Sequence, residues 1–183
     1  MYPLLDIKDL ALEFQTENGI TEALNNVSFQ VNKSEIVAIV GESGSGKSVT
    51  ALSILRLLPE PPAKYTKGKI LYSKDDHPTD LLKMSQHEMF NVRGNEISMI
   101  FQEPMTSLNP VVTCGEQVQE AIRLHKGLKN KEARAQTIAL FEKVKLPLPS
   151  TMVHRYPHQL SGGQKQRVMI AMAISSNPAL LIA

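Results

Sequence analysis

Ile36-Val37-Ala38-Ile39-Val40-Gly41-Glu42-Ser43-Gly44-Ser45-Gly46-Lys47-Ser48-Val49 decides how this chain is read. The first five residues are a continuous apolar run, mostly β-branched. That pattern predicts a strand buried on both faces, as in a parallel sheet. Gly41 to Gly46 is rich in glycine. From Lys47 to Leu58, Val49, Leu52 and Leu55 recur at helical spacing, until Pro59, Pro61 and Pro62 stop the helix. Gly41–Ser48 fits G-x-x-x-x-G-K-[ST], and strand, glycine turn and helix are the setting in which that pattern wraps phosphate. Successive N–H groups must turn inward around phosphate oxygens, and glycines permit the positive φ values this needs. The helix that follows points its positive end at the anion. Lys47 then reaches the β- and γ-phosphates, and Ser48 offers a hydroxyl to Mg²⁺. A chance Lys-Ser in a Gly/Ser linker would lack the strand before it and the helix after it.

Working outward, Leu4–Phe14 and Ala23–Val31 read as strands on either side of an Asn18-Gly19 turn, an antiparallel hairpin. Lys67–Tyr72, Glu96–Phe101 and Ala179–Ala183 read as further strands. Ser85–Asn91, Gly115–His125, Lys131–Lys145 and Gly163–Ser175 read as helices, the third with Ile138, Phe141 and Val144 on one face. The order suggests an α/β core with a helical insertion near Pro104 to Leu160. The chain has 183 residues, 42% hydrophobic and 21% charged. Such usage excludes disordered, collagenous and disulfide-built chains. A net charge of +2 is too small to imply a nucleic-acid partner. The single cysteine points to a reducing compartment. No stretch reaches the roughly 18 apolar residues of a membrane helix, and Met1–Leu10 lacks the plan of a signal peptide.

A second motif is Leu160-Ser161-Gly162-Gly163-Gln164. Ser161 suits a helix N-cap, and the helix start offers bare N–H groups to a second face of a phosphate. With both motifs in view, the chain resembles the nucleotide-binding subunit of ATP-binding-cassette transporters over essentially its whole length. Gly41–Ser48 matches that family's Walker A motif, and Ser161, Gly162, Gly163 and Gln164 fall in its signature. The resemblance implies an α/β fold: a P-loop core, an N-terminal antiparallel β-subdomain and an inserted helical subdomain. It implies ATP and Mg²⁺ as ligands. Gly41, Glu42, Ser43, Gly44, Ser45, Gly46, Lys47, Ser48 and Val49 would hold nucleotide, with Lys47 catalytic. Gln102 stands where the family's Q-loop glutamine touches Mg²⁺ and the attacking water. Phe14 stands where an aromatic residue stacks on adenine, though a strand residue packed into the core reads nearly as well. The implied division is 1–103 for β-subdomain and core, 104–160 for the helical subdomain, and 161–183 for signature helix and Walker B strand.

Met99–Pro110 and Tyr156–Gly163 are similar to the peptide and nickel importer ATPases, nearest to the D-type subunit of oligopeptide and dipeptide permeases. That likeness implies a head-to-tail pair of ATPase subunits, with transmembrane permease subunits and, indirectly, an extracytoplasmic solute-binding protein. It implies a peripheral location on the cytoplasmic face of the membrane. Leu180–Ala183 resembles the apolar strand of Walker B, and the chain stops before the acidic pair that follows in the family. The C-terminal part of the sheet is therefore expected to be missing, and the 183 residues alone are expected not to hydrolyse ATP. Ile36–Val40 and Ala179–Ala183 would either pair non-natively or leave a slot of roughly 10 Å. Two alternatives stay open: a non-hydrolysing nucleotide-binding fragment, and an importer ATPase for nickel or another small solute. A DNA-repair or chromosome ATPase would need a coiled-coil or zinc insertion between the motifs, and none is present. The histidines show no metal-ligand spacing, and Cys114 has no partner for nucleophilic chemistry.

Overall fold

Strand β1, Leu5–Thr16, buries Leu5 and Ile7, then Leu10 and Leu12. The alternation slips by one residue between Ile7 and Leu10, where the pairing register also shifts. Asp9 sits there at φ 47, so an irregularity in the strand turns Leu10 back toward the core. The computed structural model describes residues 2–17, 19–101 and 107–183, which form two compact units, Met1–Phe90 and Asn91–Ala183.

In the first unit, β1 pairs antiparallel with β2, Gly19–Val31, as the sequence predicts; Asn18 of the turn lies outside the described residues. β3, Ala63–Tyr72, pairs with the other edge of β1, and the two-residue β4, Thr79–Asp80, follows it. The order is β2-β1-β3-β4. Helix α1 spans Lys47–Ile54 and stops short of the prolines, with Arg56 at φ 48. The buried residues of α1 are Thr50, Ser53 and Ile54, whereas Val49 and Leu52 stay half-buried, contrary to the apolar spacing. The two buried hydroxyls bond carbonyls of their own helix: Thr50 Oγ1 donates to Gly46 O at 2.9 Å and Ser53 Oγ to Val49 O at 2.7 Å. Each thus has an acceptor within its own helix. Helix α2, Gln86–Val92, carries the chain across the division between the units.

Ile36–Val40 departs furthest from expectation. It is not a strand, and Ile36 and Val40 are 98% and 87% exposed. A β-branched run becomes a strand only where a neighbour supplies ladder partners and packing. The four-stranded sheet of this unit has β2 and β4 at its edges and takes no fifth strand among the described residues. In the second unit β6, Leu180–Ile182, runs parallel to β5, Ile97–Met99.

The second unit is otherwise helical: α3 Cys114–Lys126, α4 Asn130–Lys143, the short α5 Pro149–Met152 and α6 Gly162–Ala173. Val118, Ile122, Phe141 and Val168 are fully buried at their junction, with Ile138 and Val144 packed beside them. α3 starts hard against the 153–155 segment. Cys114 N donates to Arg155 O at 2.8 Å and Gly115 N to Val153 O at 3.1 Å. A methyl on Gly115 would overlap the Val153 carbonyl oxygen and lie 2.6 Å from its Cβ. The sequence pattern missed α5 and a 3₁₀ turn at Pro157–Gln159, because four and three residues show no period.

Candidate functional site

Gly46 is the hinge of the glycine loop. It is the N-cap of α1 at φ 85, it is buried, and a Cβ on it would lie 2.8 Å from Leu24 Cδ2 and 3.0 Å from Ala23 O. A side chain is thus excluded by both backbone conformation and contact. Gly44 shares the left-handed conformation at φ 84. Ser45 N donates to Glu42 O at 3.2 Å, which closes the turn. Gly41 through Ser45 and Ser48 are exposed; Lys47 and Val49 are half-buried.

The Lys47 ammonium folds back over the loop. Its Nζ donates to Gly41 O at 2.8 Å, to Glu42 O at 2.6 Å and to Ser45 Oγ at 3.2 Å. A cation held by two carbonyls and a hydroxyl can exchange those neutral acceptors for anionic ones, which bind it more strongly. α1 has no side-chain cap and no acidic residue in its first turn. Its positive end therefore faces the loop without a capping side chain or a first-turn carboxylate to offset it. Glycine cradle, ammonium and helix end form a donor set that fits a polyphosphate. For Mg²⁺ the described residues supply the exposed Ser48 hydroxyl. Among them no group of three or more His, Cys, Asp and Glu could hold a metal, so a metal here would have to ride mainly on the phosphates. Gln102 and the adjoining residues through Thr106 lie outside the described residues. Phe14 is half-buried in β1, opposite Thr21 on one side and Ala63 on the other.

In the second unit, Ser161 caps α6. Its Oγ accepts from Gln164 N at 3.3 Å, while Gln164 Oε1 accepts from Ser161 N at 3.0 Å, a reciprocal capping box. Gly162 and Gly163 are exposed, and a Cβ on either would meet nothing within 4 Å. Two glycines in a first helical turn cost about 1 kcal/mol each relative to alanine. Nothing among the described residues explains that cost. Ahead of the cap, Tyr156 and His158 stack at 5.6 Å between ring centroids, which gives His158 a packing role in the 3₁₀ turn.

Two features escaped the sequence reading. Gln117, buried in α3, accepts from Asn109 N at 2.9 Å and donates to Asn109 O and Val112 O at 3.0 and 2.9 Å, clamping the 109–112 turn. Its position on an otherwise apolar helix face was the available signal. A cavity of about 400 Å³ also opens in this unit, lined by Ser98, Met99, Leu108, His125, Met169 and Met172 among others. Burial lowers the pKa of His125 there. Cys114, buried at the start of α3, has its thiol pushed up to about 11, chiefly by desolvation.

The family model for ABC transporters matches residues 24–183. The chain is 48% identical over 180 residues to the oligopeptide transport ATP-binding protein OppD of Bacillus subtilis, covering 98% of this chain and 49% of that one. It is 48% identical over 181 residues to the glutathione import ATP-binding protein GsiA of Salmonella typhimurium, covering 98% of this chain and 29% of that one. The chain thus spans half or less of these curated relatives. Among solved structures it is similar to the dimeric ATP-binding cassette MJ0796 in a post-hydrolysis state bound to ADP and Pi. That match has a TM-score of 0.83 at 28% identity, covering 97% of this chain and 72% of the other.

Proposed function

The chain belongs to the ABC transporter family, and on that premise we propose that it is the ATP-binding and ATP-hydrolysing part of a subunit that powers an importer of oligopeptides or dipeptides. The observation that carries the reading is the Gly41–Ser48 loop, with its left-handed glycines, its folded-back ammonium and the uncapped helix behind it. The relatives named for oligopeptide transport and glutathione import support the peptide class.

The loop amides and α1 hold the phosphates, and Lys47 leaves the Gly41 and Glu42 carbonyls to neutralise the β- and γ-phosphate oxygens. The Ser48 hydroxyl would hold Mg²⁺, which when bound would supply positive charge to offset that of the phosphates. Gln102 orients the attacking water, and Phe14 packs against adenine. Ser161–Gln164 acts in trans: a second subunit, head to tail, presents its α6 start to this subunit's phosphates. The bare glycines leave room for that approach. Segment 104–160 serves as the helical arm, and Glu103–Pro110 meets the transmembrane permease subunits, with Gln117 fixing the turn at 109–112. The solute-binding protein acts only through the permease, and no nucleic acid takes part. Among the described residues no helix is long and apolar enough to cross a membrane, which suits a peripheral subunit on the cytoplasmic face.

The test uses the intact protein assembled with its permease in vesicles. Peptide-stimulated ATP hydrolysis is expected, and Gly162→Asp should abolish it while ATP still binds, because the new carboxylate opposes the partner's γ-phosphate. Unchanged hydrolysis by Gly162→Asp would overturn the trans role. Stimulation by a nickel chelate and by no peptide would replace peptide with a metal solute.

A further inference from the structure

We propose that Thr50 is a positioning residue for the phosphate loop, acting through the Gly46 carbonyl; the proposal rests on the nucleotide-binding reading of Gly41–Ser48. Gly46 O accepts two bonds from the same residue: Thr50 N at 2.8 Å and Thr50 Oγ1 at 2.9 Å. In a trans peptide the carbonyl and the following N–H lie antiparallel in one rigid plane. Holding the Gly46 oxygen down the helix axis therefore aims the Lys47 N–H out of the first turn, toward the loop. This peptide has special need of the second bond. Its leading residue is a glycine at φ 85, the backbone type with the widest freedom, and no side-chain cap restrains the turn.

Thr50 is only 4% exposed, and an apolar residue of its shape would serve packing equally well. A hydroxyl there weakens helix propensity slightly, since back-bonding to the i−4 carbonyl bends a helix. Ser53, one turn on, makes the same kind of bond to Val49 O, but that carbonyl lies inside the helix and aims no amide at the loop. Thr50 therefore differs from a merely satisfied buried hydroxyl in what its acceptor is attached to. Its chemistry toward the ligand is indirect, since it orders one amide donor and touches no phosphate.

The experiment is calorimetric titration of ADP into the intact protein and four variants, with thermal unfolding of each. Thr50→Val, isosteric but without the hydroxyl, should weaken ADP binding about fivefold, the effect of one modest hydrogen bond. Its unfolding midpoint should stay within about 3 °C of the parent. Thr50→Ser restores the hydroxyl and should bind within about twofold of the parent. Thr50→Ala gives the same reading should valine prevent folding. Lys47→Ala separates the two levels. If it binds ADP as the parent does, the nucleotide-binding reading itself fails. If it loses affinity while Thr50→Val keeps it, only the role of Thr50 is overturned. A loss in Thr50→Val that Thr50→Ser does not restore also overturns it, because packing rather than the hydroxyl would then be at work.

Discussion

Lys47 makes three hydrogen bonds within its own loop, to two carbonyls and a hydroxyl, so its removal loosens the loop as well as removing the cation. Charge-assisted bonds contribute roughly 1.5–3 kcal/mol each. Lys47→Ala is accordingly expected to weaken ATP binding by about tenfold or more, read by calorimetry. The loop's turn and its glycine conformations were legible in the sequence, because the motif's spacing is itself a statement of loop geometry. The role of Thr50 was not, because a buried hydroxyl satisfied by its own helix leaves no mark on apolar periodicity. Cys114 gives a residue-scale prediction of opposite chemistry. Its folded-state pKa, about 11, lies above the ordinary 9.0. The unfolded chain therefore releases this proton first, and the thiol makes stability fall as pH rises from about 9 toward 11. Cys114→Ala should remove that part of the decline in chemical denaturation curves, and an identical alkaline slope in the variant would exclude it.

Helices α3 and α6 start in contrasting ways, and the contrast sets two predictions. Gly115 begins α3 against the Val153 backbone with no room for a methyl, so Gly115→Ala should destabilise by about 2–3 kcal/mol in urea unfolding. Gly162 and Gly163 begin α6 in open space. Gly163→Ala should therefore stabilise the chain, by about 0.5–1 kcal/mol. On the proposed trans role, in which that space receives the partner subunit's nucleotide, the same variant should lower ATP hydrolysis in the assembled transporter. A stability gain with full hydrolysis would show that the glycine serves no approach. The elements themselves were mostly legible: the hairpin, β3, β5 and three long helices fall within a few residues of their predicted places. Ile36–Val40 was not, because strand formation is a property of pairs and sequence shows only one member. The buried face of α1 was also misread, because Val49 and Leu52 share the helical spacing of a core face while Thr50 and Ser53 occupy it.

At the scale of the whole molecule, the exposed run Ile36–Val40 presents β-branched surface with no ladder partner among the described residues. Such surface favours association. The 183-residue chain is expected to self-associate with rising concentration, and Ile36→Lys with Val40→Lys should reduce this in sedimentation; equal association would place the contact elsewhere. Each unit carries one of the two helix starts proposed to face phosphate, α1 in the first and α6 in the second. The phosphate seat at Gly41–Ser48 underlies every functional role proposed for the rest, and amide NMR of the intact protein during an ADP titration tests it most directly. The amides of Gly44, Ser45, Gly46, Lys47 and Ser48 should show the largest shifts, saturating with the calorimetric affinity. ADP binding that leaves those five amides in place while others move would contradict it.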